Sequence, residues 1–179
     1  MAKTVVGFVA ILWGVYLLDL IVPVELNGFG LIPRTARGLV GIVSTPFLHG
    51  SAGHLLANTV PLLVLLMLLA GTRPRPWSVV AAIVVGSGAL LWLVGRPGNH
   101  IGASGLVFGL AVFLVLIGLL EKKPLPLLAS LLVAFLYGGT VLTGVIPLVA
   151  PDGVSWDGHL AGAVTGAAAA FYLAKRNRK

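Results

Sequence analysis

Six long apolar stretches, at 4–18, 55–72, 77–95, 101–120, 124–151 and 158–174, follow one another with only short breaks between them. Crossing the hydrocarbon core of a bilayer takes about 20 apolar residues of helix, so a series of such runs fits a polytopic membrane protein. Composition agrees, with 58% of residues hydrophobic, 9% charged and a mean hydropathy of +1.06. An ordinary soluble domain carries about 25% charged residues. In water this chain would expose apolar patches that soluble monomers do not carry, and it is too apolar to stay disordered. Six spans and their loops use up the 179 residues and leave no room for a sizeable soluble domain. The expectation is one all-α membrane domain over 1–179, with spans at about 4–22, 50–72, 77–95, 102–120, 124–146 and 157–174.

The breaks set the orientation. Residues 23–37 form a Pro/Gly-bearing loop, 73–76 a tight basic turn, 96–100 another turn, 121–123 a charged hinge and 147–157 the last connection. With the N-terminus in the cytoplasm, that side collects nine basic residues: Lys3, Arg73, Arg75, Lys122, Lys123, Lys175, Arg176, Arg178 and Lys179. The far side holds three, Arg34, Arg37 and Arg96. The positive-inside bias then puts both termini in the cytoplasm, with Glu25, Asp152 and Asp157 outside. The first run follows Lys3 as a signal peptide would, but no small-x-small cleavage site precedes 23–27, so it reads as a retained span. The net charge of +7 does not point to nucleic acid, because the basic residues lie between and after the apolar runs without interleaved aromatics. The basic tail at 175–179 fits a stop signal in contact with anionic lipid. The absence of cysteine excludes disulfides, thiolate metal sites and a cysteine nucleophile.

Polar side chains are costly within spans, so the few present are functional candidates. The second run is entered through PFLHGSAGHLLANTVP, which supplies His49, His54 and Asn58. His54 and Asn58 lie one helical turn apart and share a face. The fourth run opens with HIGASGLVFG, where Gly102 and Gly105 flank Ser104 and permit both a sharp entry turn and the close approach of another backbone. The last run begins WDGHLAGAVTG; Gly162 and Gly166 leave the face that carries His159 bare, matching Gly105 and Gly109 on the fourth run. Packing those faces brings His159 to Ser104. Each residue alone has a structural explanation: interhelical hydrogen bonding for His54 and Asn58, an N-cap for Ser104, snorkelling for His159. Those explanations do not account for all five lying at the same depth. Together they match nucleophilic acyl transfer, with a serine, an imidazole base and donors for an oxyanion. Asp19 and Asp157 are the available acids; Asp157 falls in the loop before His159, so a Ser-His dyad is the simpler arrangement. Three histidines could in principle hold zinc, but His49 and His54 are five apart and lack an accompanying carboxylate.

These pieces, HGSAGHLLAN, GASG and GHLAGAVTG, in this order and at these separations, resemble the rhomboid intramembrane serine proteases of the bacterial six-helix type. The resemblance covers about residues 5–174. It implies a nucleophile at Ser104, a general base at His159, oxyanion assistance from His54 and Asn58 beside the Ser104 N–H, and a structural hydrogen-bonding role for His49. It also implies that Gly162 and Gly166 pack the sixth span against the fourth. Where many rhomboids carry a Trp-Arg pair in the first loop, this chain has Val40 and Gly41, and where some have tyrosine one turn after the nucleophile it has Phe108. That phenyl ring keeps stacking and loses a hydroxyl.

The activity implied is hydrolysis of peptide bonds in or near transmembrane helices of other membrane proteins, without a cofactor. The site would face outward from the plasma membrane, and its substrates would be segments weak in helix formation. Water would reach Ser104 past the small residues Gly50, Ser51, Ala52 and Gly53. Two rivals differ in class. A catalytically inactive rhomboid-like helix-binding protein would be marked by loss of Ser104 or His159, and a proton-coupled carrier would need ionisable groups through the membrane thickness. Both residues are present, and no charged residue occupies the middle of a run.

Overall fold

The computed structural model describes residues 1–149 and 154–177. Asp152, Arg178, Lys179 and residues 150–153 of the last connection lie outside that set. Seven helices are described: α1 (Ala2–Ile21), α2 (Gly41–Ser44), α3 (Ala52–Thr72), α4 (Pro76–Val94), α5 (Ser104–Glu121), α6 (Pro124–Gly144) and α7 (Trp156–Arg176). Among the described residues there is no β-strand, only one antiparallel bridge between Leu31 and His100. Five helices, α1 and α3–α6, are long and apolar enough to cross a membrane. At 21 residues α7 is as long but less apolar, because glycine and alanine take the place of large aliphatic side chains.

The apolar helices end where backbone chemistry changes. Proline opens α4 and α6 at the first helical position, where the missing N–H costs no hydrogen bond. Ser51 caps α3 by accepting the His54 N–H, and Ser155 caps α7 by accepting that of Gly158. The helix α5 stops at Glu121, with Lys122 following in the left-handed region at φ 55°.

The axis of the bundle is α5, ten of whose 18 residues are buried, against three of 20 in α1. Phe113, Leu110 and Leu114 of α5 pack with Leu12, Leu55, Leu62, Leu65, Leu69 and Ile83 in a core inaccessible to solvent. The outward faces are apolar too; Ile21, Phe135 and Leu142 are exposed as expected of surfaces solvated by lipid. A buried stripe at Gly158, Gly162, Gly166, Ala170 and Ala174 faces α5 from α7 at four-residue spacing. A Cβ at Gly162 would run into the Gly105 carbonyl, and one at Gly166 into that of Gly109, so the glycines let the two backbones touch.

At the opposite end of the bundle from Ser104, Arg73 forms a two-pronged ion pair with Glu121, at 2.8 and 2.9 Å. Asn177 donates to the same carboxylate at 2.9 Å, so the C-terminal ends of α3, α5 and α7 are tied together.

The long connection after α1 is folded against the α4–α5 turn. Asp19 accepts from the Leu26 N–H at 2.6 Å and from the Asn27 amide at 2.8 Å, which fixes the single turn at Leu26–Phe29. Arg34 donates to the Gly95 carbonyl at 2.9 Å, placing a cation at the C-terminal end of α4. Val40 is half-exposed, whereas Gly41 is buried against the backbone of Leu31. Leu39 and Val43 join Val40 as exposed apolar side chains on this connection.

Candidate active site

The N-terminal ends of α3, α5 and α7 and the C-terminal end of α6 meet at one end of the bundle, and the polar residues collect there. The chain reaches Ser104 through Gly102, whose φ of 112° lies in the region that disfavours side chains. Two partners hold that approach. Gly102 donates its N–H to the Thr45 carbonyl at 3.0 Å, and Ala103 donates to His49 Nε2 at 3.4 Å. Ser104 is the first residue of α5, with Ala103 in the cap position, so the serine is not the N-cap. The N–H groups of the first turn have no partner within the helix and are free to bind negative charge.

His54 lies against Gly102; a Cβ there would stand 2.6 Å from the imidazole. The Asn58 amide donates to the His54 carbonyl at 2.9 Å, so its nitrogen is engaged within α3. His49 and His54 meet edge to face with ring centres 5.1 Å apart. Burial, reinforced by His54, lowers the His49 pKa to about 4, against the opposing pull of the Phe47 carbonyl. A neutral imidazole there can accept the Ala103 N–H.

His159, in the first turn of α7, stacks on Phe108, one turn beyond Ser104, at 4.0 Å and 11° between ring planes. Its Nδ1 lies 3.0 Å from the carbonyl oxygen of Gly144, the last residue of α6. The contact of Gly105 and Gly109 with Gly162 and Gly166 sets α5 and α7 side by side, with Ser104 and His159 both at their starts. Among the described residues the two side chains share no direct hydrogen bond. Such bonds are often long before substrate binds.

Neither candidate acid serves the imidazole. Asp19 is engaged by the turn after α1. Asp157 belongs to the first turn of α7 and not to the preceding loop, because Ser155 starts the helix earlier than the sequence suggests. Its carboxylate accepts from the Arg96 N–H at 2.8 Å, the Arg96 guanidinium at 3.2 Å and the Ser155 hydroxyl at 3.0 Å. His100 joins this cluster through Ser155 Oγ at 2.7 Å and the Arg96 carbonyl at 3.0 Å.

Gly50, Ser51, Ala52 and Gly53 are exposed. A separate cavity of about 40 Å³ reaches Ser104 from another side, lined in part by Thr45, Ser87, His100 and Ser155. Its walls are mainly apolar with these polar groups among them, and it is large enough to hold water. Among the described residues no group of histidines and carboxylates is arranged to hold a metal ion. Sequence reasoning missed Gly144, Arg96, His100 and Ser155. The spacing of Ser155 two residues before Asp157 was the one available signal, as a serine ahead of an apolar run marks a helix start.

Fold and site together define an integral membrane protein built of helices around a serine, histidine and asparagine cluster. A family model described as the Rhomboid domain matches residues 36–176, and the chain belongs to the rhomboid family. The chain is 42% identical to the uncharacterized protein Rv1337 of Mycobacterium tuberculosis over 185 aligned residues, covering 98% of this chain and 76% of the relative. The uncharacterized protein Mb1372 of Mycobacterium bovis matches at the same identity and coverage. The uncharacterized protein ML1171 of Mycobacterium leprae is 40% identical over 98% of this chain and 72% of its own length.

Proposed function

We propose that the protein is an intramembrane serine endopeptidase that hydrolyses peptide bonds in or next to transmembrane helices of other membrane proteins. The observation that carries this reading is the placement of His159, stacked on Phe108 one turn from Ser104 across a glycine-to-glycine helix contact. In the reaction His159 takes the Ser104 proton as the hydroxyl oxygen attacks the scissile carbonyl. The negative charge that develops on the carbonyl oxygen of the substrate is held by the N–H groups at the start of α5, with His54 and Asn58 beside them. The imidazolium returns its proton to the leaving amine. Water, activated by the same imidazole, then cleaves the acyl-enzyme. His49 fixes the strand of chain that leads into Ser104, and Gly102 gives that chain its turn.

In this reading α7 is a sixth span, both termini are cytoplasmic and the site opens toward the outer face of the plasma membrane. The nine-to-three division of basic residues supports that orientation. The substrate must unwind locally, because a helical peptide bond is shielded by its own hydrogen bonds, so Gly- or Pro-bearing helix ends are expected targets.

The test is a fluorophosphonate probe applied to the purified protein in detergent, with the adduct located by mass spectrometry. An adduct on Ser104 that is absent in Ser104→Ala and His159→Ala is expected. A folded wild type that takes up no probe would turn the reading toward a non-cutting binder of membrane helices.

A further inference from the structure

An imidazole base works when one ring nitrogen is committed to a partner and the other presents its lone pair to the nucleophile. In serine hydrolases with a third member, a carboxylate usually supplies that partner. Here the nearby carboxylate, Asp157, is turned to Arg96 and Ser155. The group that meets Nδ1 of His159 is the backbone carbonyl of Gly144, at 3.0 Å.

We propose that the Gly144 carbonyl is the orienting partner of His159, so that the end of α6 fixes the tautomer of the base; this rests on the Ser104–His159 reading above. A carbonyl oxygen can only accept, so the contact places the proton on Nδ1 and leaves the Nε2 lone pair for Ser104. This carbonyl is free to do so because the last four carbonyls of a helix have no partner within it. It also lies at the partially negative end of α6, which favours the imidazolium formed once the serine proton is taken. The helix end thus acts on His159 as a carboxylate would, without placing a full charge in the membrane.

The identity of residue 144 follows from the same geometry. A Cβ there would stand 2.5 and 2.8 Å from ring carbons of Phe108 and 3.3 Å from His159 Nδ1. With glycine the carbonyl reaches the imidazole while Phe108 remains stacked on it. Gly139, earlier on α6, has open space where its Cβ would be.

The experiment uses the full-length protein in detergent, labelled with ¹⁵N-histidine and assigned with single histidine variants. Ring nitrogen shifts report the tautomer without any catalytic step. Expected are an Nδ1–H tautomer for His159 in the wild type and a mixed or reversed population in Gly144→Ala. Fluorophosphonate labelling of Ser104 is expected to slow about 100-fold in that variant, the scale of a misplacement of about 1 Å. Gly139→Ala should leave both readouts at wild-type values. An Nε2–H tautomer in the wild type would overturn the inference, and this measurement holds even if Gly144→Ala does not fold. So would a Gly144→Ala protein with unchanged tautomer and labelling rate. If Ser104 of the wild type takes no probe while His159 is Nδ1–H, the hydrolase reading falls and the Gly144 contact stands.

Discussion

Replacing Asp157 by asparagine tests how α7 is seated. The carboxylate is nearly buried, with the aspartate side chain 9% exposed, and it accepts three hydrogen bonds. Asparagine keeps the shape, removes the charge and turns one acceptor into a donor. Because the Arg96 side chain is 53% exposed, water screens its share of the interaction, which is discounted to about 0.5 kcal/mol. The Arg96 N–H and the Ser155 hydroxyl are each worth about 1.5–3 kcal/mol to a charged acceptor and about 0.5–1.5 to a neutral one, a loss of about 1 kcal/mol apiece. The sum, about 2–3 kcal/mol, lowers the melting midpoint of a chain this size by about 5–10 °C. Thermal unfolding in detergent reads the shift. Labelling of Ser104 should slow as well, since His159 lies two residues further along the same turn. Arg96→Gln retains the backbone N–H and should cost only about 0.5 kcal/mol. An Asp157→Asn protein that melts with the wild type would refute this account. An Arg96→Gln protein as unstable as Asp157→Asn would show that the guanidinium, and not the backbone amide, seats the helix.

Gly162→Ala drives a methyl into the Gly105 carbonyl and should cost about 1–3 kcal/mol in a melt, with loss of Ser104 labelling. Arg73→Met leaves Glu121 buried without its partner, an expected cost of about 3–5 kcal/mol, whereas Arg73→Met with Glu121→Leu should recover most of it. His49 is lowered from 6.5 to about 4, so between those values the unfolded chain binds a proton that the folded chain does not. Stability should therefore fall as pH drops through that window and level off below about 4, and melts across it should show a weaker slope in His49→Gln.

Periodicity and composition made the helices legible, because apolar runs in lipid have few ways to satisfy their backbones other than helix. The contact of Gly162 and Gly166 with Gly105 and Gly109 was legible too, since small residues at four-residue spacing mark where two helices touch. Other contacts were not. Gly144 offers a backbone atom, and no residue type advertises a carbonyl. Asp157 read as a loop acid because the serine cap that starts α7 ahead of it was overlooked. Asn58 looked free on the helix face, yet its amide turns back to the His54 carbonyl, a local bond that spacing alone does not reveal. The cavity beside Ser104 depends on the first loop folding over the α4–α5 turn, a long-range arrangement that sequence pattern does not encode.

If the protein is the hydrolase proposed above, the contact between α5 and α7 has a consequence for turnover. Where backbone rests on backbone there are no side-chain rotamers to rearrange, so Ser104 and His159 travel on a single stiff two-helix unit. In the proposed reaction the entropy of bringing nucleophile and base into register is then lost once, as the bundle assembles, and is not lost again with each substrate. In that reading, movement that admits a polypeptide has to come from parts outside this unit, such as the first loop.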